Sequence, residues 1–103
     1  MGKQTFFIEW NIWYLNIMKY YVYLILSKKY NKYTSYVGYT NNVENRLYLH
    51  NNSKGAKFTK GKRWLLAYTK QYKNKIIAMK EEYKLKKDIK LRAKIKRDFI
   101  NNN

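Results

Sequence analysis

The sequence predicts an α+β domain (α/β in the broad sense), with a small three-stranded antiparallel sheet flanked by helices in the order β-β-α-β-α-α. Three observations carry this. Two β-branched and aromatic runs of strand length follow one another across a short polar stretch, which is the signature of a hairpin. A third such run comes later, and segments of helical periodicity follow the second and third runs. The chain has 103 residues, 46% of them hydrophobic, enough for one core and hardly for two.

Taken in order, residues 1–18 are aromatic and nearly uncharged, and Phe6, Trp10, Trp13 and Ile17 fall at helical spacing. Glu9, Asn11 and Asn16 interrupt any signal-peptide core, so this stretch reads as an N-terminal extension, with Met18 as an alternative start. Lys19–Ser27 (KYYVYLILS) is the first strand, ended by the polar KKYNK turn. Tyr33–Tyr39 is the second, closed at Gly38–Thr40, where Gly38 reads as a structural turn residue. Asn41 with Glu44 resembles a capping box opening a short helix over Val43–Asn51. Asn52–Arg63 is a loop holding two glycines and five cations. Trp64–Tyr72 is the third strand, Asn74–Asp88 a helix, and Lys90–Ile100 a basic continuation before a frayed tail at 101–103. The domain proper is therefore expected over 19–100.

Composition closes several classes. Without cysteine there is no disulfide scaffold and no thiolate-held metal, and a single histidine leaves no His cluster. No apolar run approaches the ~20 residues that span a bilayer. The net charge of +17 far exceeds the magnitude of about 2–8 that keeps a small domain soluble. Residues 51–103 carry seventeen cations and four anions, against six and two in residues 1–50. Lys outnumbers Arg nineteen to four, with twelve Asn and twelve Tyr, so any single lysine reads first as a solvated side chain. The total still points to nucleic acid, with DNA favoured and an anionic membrane surface as the weaker partner.

Three features carry chemistry. Tyr21-Val22-Tyr23 and Tyr36-Val37-Gly38 sit in consecutive strands, so alternation can project Tyr23 and Tyr36 from one face. Arg46 and His50 lie at i, i+4 on the first helix, on the side of Val43 and Leu47; a guanidinium fork suits phosphate oxygens. Glu82 occupies the apolar row Ala78, Glu82, Leu85 and Ile89, where a carboxylate needs a partner. That partner is either Lys86 at i+4 or one Mg²⁺ or Mn²⁺, which take oxygen ligands and retain water.

Together these residues resemble the GIY-YIG nucleases, specifically their small single-domain, excinuclease-C-like members, over about Tyr20 to Ile100. Tyr21-Val22-Tyr23 stands for GIY and Tyr36-Val37-Gly38 for YIG. The stretch from Thr40 to Leu47 looks like the helix with the family's essential Arg, here Arg46, and His50 falls where the family has His or Tyr. Lys54 to Arg63 resembles the small members' Gly-Ala-Lys-Tyr/Phe-Thr loop. Ala78 to Tyr83 matches the helix with the metal-binding Glu, which maps to Glu82 and not Glu81. Two departures stand out: Tyr21 replaces the first Gly of GIY, and the Asn that follows the metal Glu in larger members has no match.

The resemblance implies a metal-dependent endonuclease-like domain, cytoplasmic, monomeric or homodimeric, that hydrolyses DNA phosphodiester bonds with one divalent cation on Glu82. Arg46 would stabilise charge on the phosphate, and Tyr23 or Tyr36 would orient or deprotonate the water, with His50 assisting. Lys54, Lys57, Lys60, Lys62, Arg63 and Lys86 would track the backbone, and Phe58, Trp64 or a neighbouring Tyr would stack on splayed bases. The alternative is a catalytically weak or inactive nucleic-acid-binding module on the same fold.

Overall fold

The computed structural model describes residues 19–103, so the expectations for residues 1–18 lie outside the described residues. A hairpin forms first in the chain: β1 (Tyr20–Lys29) pairs antiparallel with β2 (Lys32–Thr40), Lys29 opposite Lys32. Only Tyr30 and Asn31 remain in the turn, both left-handed at φ 52° and 67°. Positive φ at both central residues is what a two-residue turn needs to match the right-handed strand twist. The hairpin is thus tighter than the KKYNK turn the composition suggests.

After α1 (Val43–Asn51), the loop contains one 3-10 turn at Lys57–Thr59. The chain then enters β3 (Leu65–Tyr72), which pairs with β1 on its other side and gives the sheet order β2-β1-β3. Between Leu24/Ile25 the β1–β3 register shifts by one residue, a β-bulge. The helices α2 (Lys75–Lys87) and α3 (Ile89–Asn101) follow. None of these helices is long and apolar enough to cross a membrane.

Being central, β1 is buried on both faces, which is why Val22–Leu26 reads as a continuous apolar run rather than an alternating one. Its even-numbered residues Val22, Leu24 and Leu26 pack with Val37, Ala78, Leu85 and Ile95 beneath α2 and α3. Its odd-numbered residues Tyr23 and Ile25 pack with Trp64, Tyr36, Leu47 and Leu66 on the α1 side. A three-stranded sheet covered on both faces places two small cores back to back.

Four local expectations are corrected. The cap of α1 is Asn42, whose Oδ1 accepts from the Asn45 N–H at 3.0 Å, one residue later than Asn41. Gly38 is not a turn residue; it lies inside β2, opposite Tyr23. Ile89 does not continue the row of α2. Asp88 ends that helix and caps the next, accepting from the Leu91 N–H at 3.0 Å, and the changed axis leaves Ile89 72% exposed. The C-terminal helix runs on to Asn101, within the tail expected to fray.

Candidate active site

A cleft of about 400 Å³ opens at the end of the sheet where β1 begins and β2 ends, lined by Tyr23, Tyr36, Gly38, Arg46, Lys75 and Glu82 among others. Strand alternation and pairing bring Tyr23 and Tyr36 onto the α1 face, since Tyr23 lies opposite Gly38 and Ile25 opposite Tyr36. Arg46 comes from α1. Glu82 comes from α2, which packs on the other face, and it reaches the cleft beside the edge strand β2.

Tyr23 is 2% exposed, and its hydroxyl meets Nε2 of the fully buried His50 at 2.7 Å. On the far side of the ring, His50 Nδ1 lies 2.8 Å from Thr59 Oγ1, and that hydroxyl donates to the Ala56 carbonyl at 2.8 Å. A hydroxyl has one proton. With it given to Ala56, Thr59 accepts from His50, so Nδ1 carries the ring proton and Nε2 accepts from the Tyr23 hydroxyl. The order Tyr23 to His50 to Thr59 to Ala56 fixes the tautomer with every polar atom partnered.

Burial pushes the Tyr23 hydroxyl up to about 12, helped by Tyr36 and the Glu82 carboxylate and opposed by the adjacent Arg46 guanidinium. Burial, with the Arg46 charge added, pushes His50 down to about 4. The ground state therefore holds a neutral phenol against a neutral imidazole. The same shift is a stability statement. The unfolded chain binds a proton at His50 below about 6.5, whereas the folded chain resists it down to about 4. Stability is thus complete above about pH 6.5 and falls as pH drops toward 4, by up to about 3 kcal/mol. Thermal melts across that window should show the decline in wild type and a flatter profile in His50→Gln; parallel profiles would refute the assignment.

Several residues that hold this arrangement lay unmarked in the sequence. Gly55 has no room for a side chain: an added Cβ would meet His50 Nδ1 directly and come within 2.9 Å of Cε1. Asn51 accepts from the Trp64 N–H at 2.6 Å and donates to its carbonyl at 3.1 Å, fastening α1 to the start of β3. Trp64, 1% exposed, donates Nε1–H to the Thr59 carbonyl at 3.0 Å. It is a support for the loop and cannot stack on a base. Thr59 and Gly55 do fall in the loop motif quoted above, which was the available signal. Lys75 gave none, because its place in the cleft depends on how α2 docks.

Among the remaining sequence candidates, Lys86 pairs with Glu82 at 3.2 Å, as the i, i+4 spacing allows. Lys60, Lys62 and Arg63 line a separate basic cavity. Lys54 and Lys57 are exposed on the loop and line neither. Glu81 and Glu82, adjacent in sequence, part company: Glu81 pairs with Lys84 at 3.3 Å and lies with Tyr68 and Tyr72 on the far side. No three His, Asp or Glu side chains gather among the described residues, so Glu82 is the sole carboxylate lining the cleft.

Two phenols, a guanidinium and one carboxylate around the end of a doubly covered antiparallel sheet define the class of domain that the motif order anticipates. The GIY-YIG catalytic domain family matches residues 19–96, and the chain belongs to that family. It is similar to the UPF0213 protein OB0043 of Oceanobacillus iheyensis, 44% identical over 69 residues that cover 66% of this chain and 77% of the relative. The UPF0213 protein SH2523 of Staphylococcus haemolyticus is 45% identical over 69 residues, covering 66% of this chain and 80% of that protein. The UPF0213 protein CPE1444 of Clostridium perfringens is 43% identical over 68 residues, covering 65% and 70%. No solved structure matches the chain.

Proposed function

We propose that this cleft hydrolyses phosphodiester bonds of DNA in the cytoplasm. The observation that carries the reading is the Tyr23–His50 hydrogen bond of 2.7 Å at the wall of a cleft that also holds Arg46 and Glu82. The donor set suits Mg²⁺ or Mn²⁺: a lone carboxylate leaves the other positions to water and phosphate oxygens, which is how these ions prefer to bind. The Lys86 contact is no obstacle, because a partly exposed ion pair contributes only ~0.2–1 kcal/mol. When bound at Glu82, the cation supplies Lewis acidity at the phosphoryl oxygen and a counter-charge for the departing 3′ oxygen.

The chain's own groups do the rest. Arg46 and Lys75 hold the phosphate, and Arg46 meets the charge that develops on its oxygens. A water placed against the Tyr23 oxygen gives it a proton as the phenol's own proton passes to His50 Nε2. The water oxygen forms a bond to phosphorus while the P–O3′ bond breaks, leaving a 5′-phosphate and a 3′-alkoxide that takes a proton from solvent water to become the 3′-hydroxyl. His50 then returns its extra proton to solvent through Tyr23. His50 is a weak base chiefly because it is buried, and the Arg46 charge weakens it further. A phosphate on Arg46 cancels part of that charge and raises the affinity of His50 for the proton. Tyr36, edge-on to the His50 ring at 5.1 Å, holds that ring in place.

The test is cleavage of branched, single-stranded and duplex DNA with Mn²⁺ or EDTA, comparing wild type with Tyr23→Phe. Metal-dependent nicking by wild type and a loss of about 10²–10⁴-fold in the variant are expected, the range for removing a general acid–base group. Tight, salt-dependent binding without turnover in any metal would instead favour a binding module on a relic nuclease fold.

A further inference from the structure

A second cavity, of about 330 Å³, lies at the other end of the hairpin. Lys28 and Lys29 at the end of β1 form one wall, and Lys60, Lys62 and Arg63 of the loop form the other, with Ser27 and Thr34 between them. Five cations share this space, and no carboxylate lines it. The described acidic residues (Glu44, Glu81, Glu82, Asp88 and Asp98) all lie on or at the ends of helices. The three ion pairs formed among described residues are confined to α2 and α3.

What holds these lysines is aromatic rather than acidic. Lys28 Nζ stands 5.7 Å from the Tyr33 ring centroid, Lys29 5.5 Å from Tyr30, and Lys62 5.1 Å from Phe58. A cation over a ring keeps its full charge and its donors. Five like charges around one cavity repel one another, a cost that a polyanion removes on arrival.

The cavity opens on the same face of the sheet as the cleft. Ser27 and Thr34 face each other across the hairpin on the same side of the sheet as Tyr23 and Tyr36, by strand alternation. Tyr36 lines the cleft and stacks on Phe58 at 6.2 Å and 20°; Phe58 is 53% exposed, and its ring carries Lys62, which lines the second cavity. Cleft, exposed ring and basic cavity therefore follow one another along a single face. From Tyr23 to Ser27 is four residues of strand, ~13 Å at ~3.3 Å per residue. A nucleic-acid strand covers that distance in at most about four nucleotides, the number at the ~3.4 Å spacing of stacked bases, and in fewer where its bases are unstacked.

We infer that this face is a track for one unpaired nucleic-acid strand. A phosphate up to about four nucleotides from the one in the cleft sits among Lys28, Lys29 and Lys60, and an intervening base stacks on Phe58. The inference rests on the nuclease reading for what happens at the cleft, and it adds the substrate class: a strand with unstacked bases beside the cut.

Binding of labelled oligothymidylates to the full chain, measured in EDTA so that turnover plays no part, tests it. Wild-type affinity should climb with length until the strand spans up to about four nucleotides beyond the cleft and then rise slowly. The triple variant Lys28→Gln, Lys29→Gln, Lys60→Gln should bind short strands like wild type but long ones tenfold or more weakly. The slope of log K against log salt for long strands should fall by about 0.7 for the one single-strand phosphate these lysines hold. Phe58→Ala should weaken long strands without changing that slope. A control removing the same charge from the helices (Lys80→Gln, Lys90→Gln, Arg97→Gln) should leave the length dependence intact. The track is overturned if the control loses as much as the triple variant, or if the triple variant weakens short and long strands alike or neither. It is equally overturned if duplex of the same length is bound as tightly as single strand. Because binding and cleavage are read apart, a chain that follows the length rule but never cuts would sink the nuclease reading and leave the track standing.

Discussion

Arg46→Ala and Glu82→Gln should each lower metal-dependent DNA cleavage by about 10²–10³-fold or more, the loss typical of removing one preorganised electrostatic group, while leaving most of the binding. Arg46 is half-buried on α1 and influences both halves of the proton relay, lowering Tyr23 and His50 together. Its loss removes the phosphate's main counter-charge and also relieves the smaller part of the His50 depression, burial keeping the larger part. The residual activity of Arg46→Ala should therefore fall off at a higher pH than that of wild type, because His50 becomes protonated, and unable to accept, earlier as pH drops. Glu82→Gln keeps the side chain's shape and gives up only a partly exposed pair with Lys86, worth about 0.5 kcal/mol. A melting temperature near that of wild type, with cleavage gone, separates loss of chemistry from loss of fold. Single-turnover cleavage and binding in EDTA read the two effects independently. Wild-type rates in either variant would remove the cleft from the reaction.

Gly38→Ala should damage the site as much as deleting one of its groups. An alanine Cβ would collide with the Tyr23 hydroxyl and stand 2.6 Å from its Cζ. Neither partner can give easily, since Gly38 is buried inside β2 and the Tyr23 ring is buried and tied to His50. Relief requires the ring to swing or the strands to part, a strain of about 1–3 kcal/mol in a packed core. Displacing the hydroxyl by about 1 Å is enough to cost a reaction on the order of 10²-fold. Melting and cleavage should fall together here, in contrast to Glu82→Gln. Full activity in Gly38→Ala would show that the hydroxyl's position does not matter.

Gly38 also shows where the sequence is legible and where it is not. The YIG-like triplet marked it, and a glycine closing a strand reads as a turn. Its actual reason, the bulk of Tyr23 on the neighbouring strand, depends on register, and register is a property of the pair rather than of either strand. Ile89 fails for a related reason. Its spacing continues the helical row, but Asp88 caps a new helix and rotates everything after it. The hairpin turn was hidden differently: Tyr30, a bulky residue, holds a left-handed conformation that its type rarely adopts.

By itself the chain determines the order of its strands and helices and the clustering of positive charge in its second half, and it singles out Tyr23, Tyr36, Arg46, His50 and Glu82 as candidates, since these are recorded in local pattern and in motif order. Only the tertiary structure decides that Thr59 sets the proton on His50 and that Gly55 and Gly38 clear room for two rings. Local pattern follows from a residue's own periodicity and propensity. A hydrogen-bond chain, a steric gap and a shared cavity come from groups distant in sequence, and their meeting is settled by how the sheet and helices pack.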